Sequence, residues 1–363
     1  MKIGIDISQI VYGTGVSCYT KNLVRNLVKI DKKNQYLLFG GSFRQKKVLK
    51  DFVESLDLVR ARGVIWPVAP SLADFFWNQL HILEIEKLIG KIEVFHSSDW
   101  TQPPTRAAKV TTIHDLAIFK FPEAFPKKIT AVHQRRLAWV KKEADLIIAV
   151  SESTKKDIVS FLGIPEKKIK VIYEAAPEEI KQVGQEKIEK AKRKYKIKGD
   201  YLLSVSTLEP RKNLQRTIEA FRLLKTKNLT LVVAGKIGWG EALKLTRNTI
   251  LTGFVPDEDL SALYSGALVY LYPSLYEGFG QNILEAMVCG CPVVTSNVSS
   301  MPEVAGKAAV LVDPFSVESI AEGIKRAINN RSELVKAGFE QMKKFSWEKC
   351  ALQTLEAYEE AAR

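Results

Sequence analysis

The stretch LYPSLYEGFGQNILEAMVCGCPVVTS, residues 271–296, reads as strand, glycine loop, helix and strand. Two acids stand in unusual places within it. Glu277 lies in the loop beside Gly278 and Gly280, and Glu285 lies on the helix among Ile283, Leu284, Ala286, Met287 and Val288. A helix apolar on nearly every face is expected to be buried. A carboxylate there is costly unless it meets a partner or a ligand. Phosphate can meet the backbone N–H groups at the helix start, and hydroxyls can meet the two acids. The segment therefore predicts a site for a phosphorylated, polyhydroxylated ligand such as a nucleotide sugar.

Outward from it, short apolar strands alternate with amphipathic helices, which argues for parallel sheets. In the first half, strands are expected at 2–7, 35–40, 91–97, 109–115, 145–151 and 168–174. The pattern restarts with strands at 201–207, 229–235, 248–254, 267–273, 292–296 and 308–313. The charged segment 178–200 between the halves reads as a link with a helix over part of it. The final stretch SWEKCALQTLEAYEEAA, 346–362, reads as a closing helix with Ser346 as its cap. Two doubly wound α/β domains follow. Ligands of such sheets bind outside the carboxyl ends of the strands, and four polar or glycine-rich motifs fall there, pointing to a cleft between the domains.

Length and composition agree. A chain of 363 residues makes about two domains. With 46% hydrophobic and 26% charged residues it can build a large core. Cys18, Cys289, Cys291 and Cys350 lack paired metal spacing and read as reduced thiols in or near the core. The N-terminus MKIGIDISQ is interrupted by Asp6 and is not a secretion signal. No run of about 18 apolar residues exists, so no spanning helix is expected and the cytoplasm is the expected compartment. Charge is lopsided: residues 1–177 carry 28 basic against 18 acidic side chains, the remainder 26 against 23. Much of the excess lies in 44–50 and in the helical stretch from Pro126 to Lys142. It is either a solvated face or an attraction to an anionic acceptor or the inner face of the cell membrane, which would make the protein peripheral there. Aromatics do not interleave with the bases, so nucleic acid is not an expected partner.

The motifs narrow the chemistry. YGTG (12–15) places Gly13 and Gly15 before a helix. A dinucleotide fingerprint needs a third glycine where Cys18 stands, so a nicotinamide-type site is not expected. What remains is a tight turn or a loop that admits a phosphate or acceptor. His114-Asp115 ends a strand; its imidazole can donate to a sugar hydroxyl or to a developing charge, or it is structural. Asp115 orients nearby backbone. Glu209-Pro210-Arg211-Lys212-Asn213 puts two cations in a loop before a helix, which suits a diphosphate; an ordinary exposed loop is the alternative. Asp257-Glu258-Asp259 is better explained as cap and first-turn acids than as metal ligands. His81, His96 and His133 show no partner, and no GxSxG elbow occurs.

At these residues the chain resembles the retaining glycosyltransferases of family 4, with the two-domain GT-B architecture: two Rossmann-like domains facing across a cleft. The resemblance covers nearly the whole chain. It runs through Gly13–Gly15, His114-Asp115, ADLIIAVSESTKKDI (144–158), STLEPRKNL (206–214), GCPVVTS (290–296) and FSWE (345–348). EGFGQNILEA (277–286) adds the two-glutamate pattern, Glu277 and Glu285. It implies an acceptor-binding domain over 1–177, rejoined by the helix 346–363, and a donor-binding domain over 178–345. It further implies that Glu277 contacts donor-sugar hydroxyls. The backbone of Gly278, Phe279, Gly280 and Gln281 would hold the diphosphate or sugar, and Glu285 the ribose. Lys212 would neutralise the leaving diphosphate, His114 would sit near the transferring sugar, and Gly15 would let its loop approach. Ser206 stands where many members carry an arginine six residues before the lysine; Arg211 is the natural substitute.

The implied reaction moves a hexose, mannose favoured by the STLEPRKN loop, from a nucleotide diphosphate sugar such as GDP-mannose to a glycan or lipid-linked acceptor hydroxyl. No metal and no cofactor are implied. The rivals are a sugar-nucleotide epimerase of the same fold and a catalytically silent nucleotide-sugar-binding subunit.

Overall fold

The computed structural model describes all residues except 58, 227, 237 and 239–241. It divides into two units, Met1–Glu174 with Trp347–Arg363, and Ala175–Ser346.

The first unit is built on seven parallel strands among the described residues: β1 Lys2–Asp6, β2 Gln35–Gly41, β3 Ala61–Trp66, β4 Val94–Ser97, β5 Ala108–Ile113, β6 Leu146–Ala149 and β7 Ile169–Val171. Their order is β3-β2-β1-β4-β5-β6-β7. Helices cover both faces of such a sheet, so inner strands read as unbroken apolar runs; β6 is LIIA and wholly buried. Chain order reverses between β1 and β4. The helix Trp347–Ala361 completes this unit: the Trp347 ring packs 5.9 Å from that of Tyr19, and the Tyr358 hydroxyl lies 2.7 Å from His96 Nδ1.

Two expectations need correction here. Strand β3 is absent from the sequence reading, because ARGVIW has Arg62 and Gly63 where an apolar alternation would announce a strand. It is an edge strand, only partly buried along its length. Gly63 lets it close on the preceding helix: a Cβ there would stand 2.9 Å from Val53. Second, the basic stretch after Pro126 is not a uniform solvated face. On the helix Lys127–Glu143, Arg136 is fully buried, with its guanidinium on Thr111 Oγ1 at 2.6 Å and Asp99 at 3.4 Å. Arg135 is held by Asp74 at 2.6 Å.

Among the described residues the second unit carries six parallel strands: β8 Asp200–Val205, β9 Leu229–Ala234, β10 Thr249–Gly253, β11 Val269–Tyr272, β12 Val293–Ser296 and β13 Ala309–Val312. Their order is β10-β9-β8-β11-β12-β13. One face is sealed by Ile218, Phe221, Ile320 and Ile324 from two helices, packed on Leu231, Val233, Leu271 and Val294. The segment 178–200 is part of this unit. Its helix Gln185–Lys194 buries Ile188 and Ala191, and Lys194 and Tyr195 bond Asp259 at 2.5 and 2.8 Å. Asp257, Glu258 and Asp259 form the first turn of the helix Asp257–Gly266, where acids suit the positive helix end. In this sheet the order reverses between β8 and β11.

Candidate functional site

Both glycine- or cation-rich loops of the second unit leave the sheet at that reversal, 206–213 after β8 and 273–280 after β11. The backbone ties them together. Leu275 N–H donates to the Arg211 carbonyl at 2.9 Å. Asn213, left-handed at φ 59°, donates its amide to the Pro273 carbonyl at 2.9 Å and to the Pro314 carbonyl at 2.6 Å. This fixes the short helical turn Pro210–Lys212 against the neighbouring loop.

Glu277 is buried and takes both cations. Lys212 Nζ donates to its Oε1 at 2.7 Å and Arg211 donates to its Oε2 at 2.9 Å. Arg211 also binds the Tyr276 carbonyl at 2.7 Å and Glu209 at 2.7 Å. Burial opposes the Glu277 charge, but Lys212 and Arg211 outweigh it and hold the carboxyl at about 2. The loop is braced from behind: Ser300 Oγ donates to the carbonyls of Glu277 and Phe279 at 2.9 and 2.8 Å, and Ser299 Oγ to the Glu277 carbonyl at 2.5 Å. Gly280 sits at φ 98°, a conformation only glycine adopts freely, and turns the chain into the helix Gln281–Val288. Phe279 is buried with its ring edge-on to Phe345, and the Gln281 amide donates to the Ala175 carbonyl at 2.9 Å.

Glu285, on that helix, is buried, and its hydrogen-bond partners among the described residues are neutral. The Tyr264 hydroxyl donates to Oε2 at 2.9 Å and the Asn282 amide to the same oxygen at 3.0 Å. Desolvation dominates, and the carboxyl is pushed up to about 7. Two acids eight residues apart thus differ in kind: one is locked ionised, the other is poised near neutrality.

The first unit holds the other predicted residues. His114 follows β5, its Nδ1 3.1 Å from Glu174 Oε1 and its ring edge-on to Tyr19 at 4.7 Å. Burial alone would lower its pKa, but the Glu174 carboxylate raises it. Asp115 accepts from the Ala117 N–H at 2.9 Å, a local turn. Gly15 opens the helix Gly15–Ile30, and a Cβ built there meets nothing within 4 Å. His96, unassigned in the sequence, is buried between Tyr358 and Thr112, and burial pushes its imidazole down to about 3. His81 stacks on Trp139 at 3.5 Å and His133 tilts against Trp100 at 4.7 Å.

The structure brings Arg211, Lys212 and Glu277 into one cluster, with Gly278–Gln281 continuing from it and Glu285 within the same helix. His114 and Gly15 belong to the other unit. Sequence reading missed Glu174, Tyr264, Asn282, Ser299 and Ser300. Only Asn282 left a signal, standing three residues before Glu285 on one helix face.

The Glycosyltransferase Family 4 model matches residues 13–178, and the Glycosyl transferases group 1 model matches residues 185–344. The O-antigen chain mannosyltransferase B of Escherichia coli is 35% identical, covering 95% of this chain and 96% of that protein. Sucrose-phosphate synthase from Thermosynechococcus elongatus has a similar structure, with a TM-score of 0.74 over 99% of this chain and 98% of that one at 17% identity. Anabaena Alr3699/HepE in complex with UDP-glucose matches with a TM-score of 0.72 over 98% of this chain and 99% of that one, also at 17% identity. Two parallel-sheet units, their order and these matches make the architecture GT-B. The chain belongs to the group 1, family 4 glycosyltransferases and is a glycosyltransferase.

Proposed function

We propose that this enzyme transfers mannose from GDP-mannose to a hydroxyl of a glycan or lipid-linked acceptor, with the anomeric configuration retained. The observation that carries it is the convergence of Arg211 and Lys212 on Glu277 at the point where the second sheet reverses its order. The choice of mannose is supported by the 35%-identical relative, an O-antigen chain mannosyltransferase of Escherichia coli, and by the STLEPRKN loop.

The second unit holds the donor. Lys212 and Arg211 face the diphosphate, and the N–H groups at the start of the helix Gln281–Val288 add partial positive charge. Glu277 keeps further lone pairs on both oxygens for sugar hydroxyls after accepting from the two cations. Glu285 accepts from the ribose hydroxyls. The first unit holds the acceptor, with Gly15 leaving room for it and His114 near the transferring sugar. The acceptor oxygen bonds the anomeric carbon on the face from which the diphosphate leaves. The bond from that carbon to the phosphate oxygen breaks, and the departing phosphate takes the acceptor proton. Stabilising the leaving charge supplies much of the catalysis, and two fixed cations do so without a metal.

The test is nucleoside diphosphate release from a panel of GDP-, UDP-, ADP- and dTDP-sugars with candidate acceptors, followed by the proton spectrum of the product. Release from GDP-mannose, an α-linked product and no change on adding a chelator are expected. A β-linked product, or donor rearrangement without transfer, would overturn the reading.

A further inference from the structure

The first sheet also reverses its chain order, between β1 and β4, and the carboxyl ends of β1, β2 and β4 there border a cavity of about 400 Å³. That lies in the range of small-molecule sites, roughly 300–1,000 Å³, at the place where doubly wound sheets take ligands. Neither His114 nor Gly15 lines it. Its walls are Tyr12, Phe39, Val68, Trp77, Ile129 and Val132. Several of the polar side chains bordering it are already engaged. Ser8 Oγ donates to Asp6 at 2.5 Å, Ser98 and Thr101 meet at 3.1 Å, and Arg135 is held by Asp74. A saccharide needs convergent hydrogen-bonding groups, and this interior offers mostly carbon.

The rim adds two observations. Residues bordering the cavity continue into a run of exposed apolar side chains. Leu72, Phe75 and Phe76 are 50%, 43% and 36% exposed, and Leu80, Ile82 and Leu83 follow. Such a patch on a soluble surface marks an interaction site. The same wall contains a π-helical turn, Asp74–Gln79, followed by left-handed His81 and Leu83 at φ 52° and 69°. Such strained backbone is retained at functional sites. Beside the cavity, Lys128 is exposed and forms no ion pair among the described residues.

We propose that this cavity takes the aliphatic chain of a lipid-phosphate acceptor, with Lys128 against the phosphate. The inference rests on the reading of the first unit as the acceptor half. It matches charge to charge and carbon to carbon, and it places the chain in a site separate from the residues assigned to the sugar.

The experiment is calorimetric binding of dodecyl phosphate, below its micellar concentration, to the full chain without donor. It reads the cavity whether or not any sugar is transferred, so its failure is distinct from failure of the transferase reading. Wild type is expected to bind. Ala73→Trp and Val132→Trp, which fill the cavity from two different helices, should each weaken binding at least tenfold with the melting transition retained. Should one of them fail to fold, the other gives the answer. Lys128→Ala should weaken dodecyl phosphate several-fold and leave dodecanol unchanged. Vesicles of phosphatidylcholine with phosphatidylglycerol form the second arm. No binding of dodecyl phosphate to wild type overturns the proposal, as does equal affinity in both filled variants. Binding to vesicles alone, indifferent to both tryptophans, also overturns it and makes the patch a bilayer-docking face.

Discussion

The two sheets reverse their strand order in the same way but furnish the reversal differently. In the second unit the loops after β8 and β11 close on an ion cluster, Arg211–Glu277–Lys212, with every charge answered. In the first unit the same topological position borders an apolar cavity, and two nearby arginines are used for support: Arg135 on Asp74, and Arg136 against Asp99. One fold repeated twice thus carries an ion cluster at one reversal and a largely apolar cavity at the other. What differs is a handful of loop residues, while the sheets beneath are alike. Function in this architecture is written in what leaves the strand ends.

The sharpest way to break this contrast is to remove a cation from the charged reversal. Lys212→Ala should lower turnover by about 10²–10³-fold or more, the scale of losing one preorganised charge donor at a developing anion, and should lower the melting temperature, since it strips the main counter-charge from buried Glu277. Glu277→Ala should fall in the same range. Nucleoside diphosphate release under saturating donor measures both. A folded Lys212→Ala enzyme with ordinary turnover would show that the cluster is structural.

The two glutamates provide a finer test. Glu277, held at about 2, adds stability above the ordinary carboxylate range that is lost only as pH falls through about 2. Glu285 has the opposite sign. Its carboxyl is raised from 4.5 to about 7, so ionisation opposes folding, and its contribution to stability declines as pH rises from 4.5 through 7. If the ionised form accepts the ribose hydroxyls, donor affinity should rise about tenfold between pH 6 and 8 and flatten in Glu285→Gln. Titrating GDP at several pH values decides it, and a pH-independent wild type would remove Glu285 from the donor site.

Smaller effects are expected in the first unit. The His114 pKa is raised by Glu174, so the pair stabilises the fold below the ordinary imidazole range and loses that contribution as pH rises through the raised value. Glu174→Gln should therefore lower the melting temperature at pH 5.5 by several degrees and much less at pH 9. The smallest change is Tyr358→Phe, which strips the hydroxyl from buried His96 and should cost about 1–3 kcal/mol in denaturant unfolding without touching turnover.

Much of this was legible in the sequence. The apolar runs of the parallel strands announced both sheets, because strands covered on both faces carry little polar noise. Strand β3 escaped because an edge strand needs no such run and Gly63 replaces a side chain that would mark it. Glu277 stood out as an acid beside Gly278 in a loop at a strand end, and Arg211 and Lys212 as adjacent cations in a loop before a helix. Glu285 was flagged by its incongruity on an apolar helix, and it is buried there with Tyr264 and Asn282 as partners. Its partner Tyr264 was invisible, since a contact across 21 residues leaves no periodic trace. The same holds for Glu174, 60 residues from His114, and for Ser299 and Ser300, which brace the Glu277 loop from another strand end. Nor could the basic stretch be divided by reading alone: Arg135 and Arg136 are neighbours in sequence, yet one pairs with Asp74 and the other is swallowed by the core.

The most direct test of the central claim is the difference in affinity between GDP and GMP, by calorimetry, in wild type and Lys212→Ala. If the charged reversal holds the diphosphate, wild type should prefer GDP by tenfold or more, and the variant should lose most of that preference while keeping its affinity for GMP. An unchanged preference in the folded variant would contradict the claim and place the phosphates elsewhere.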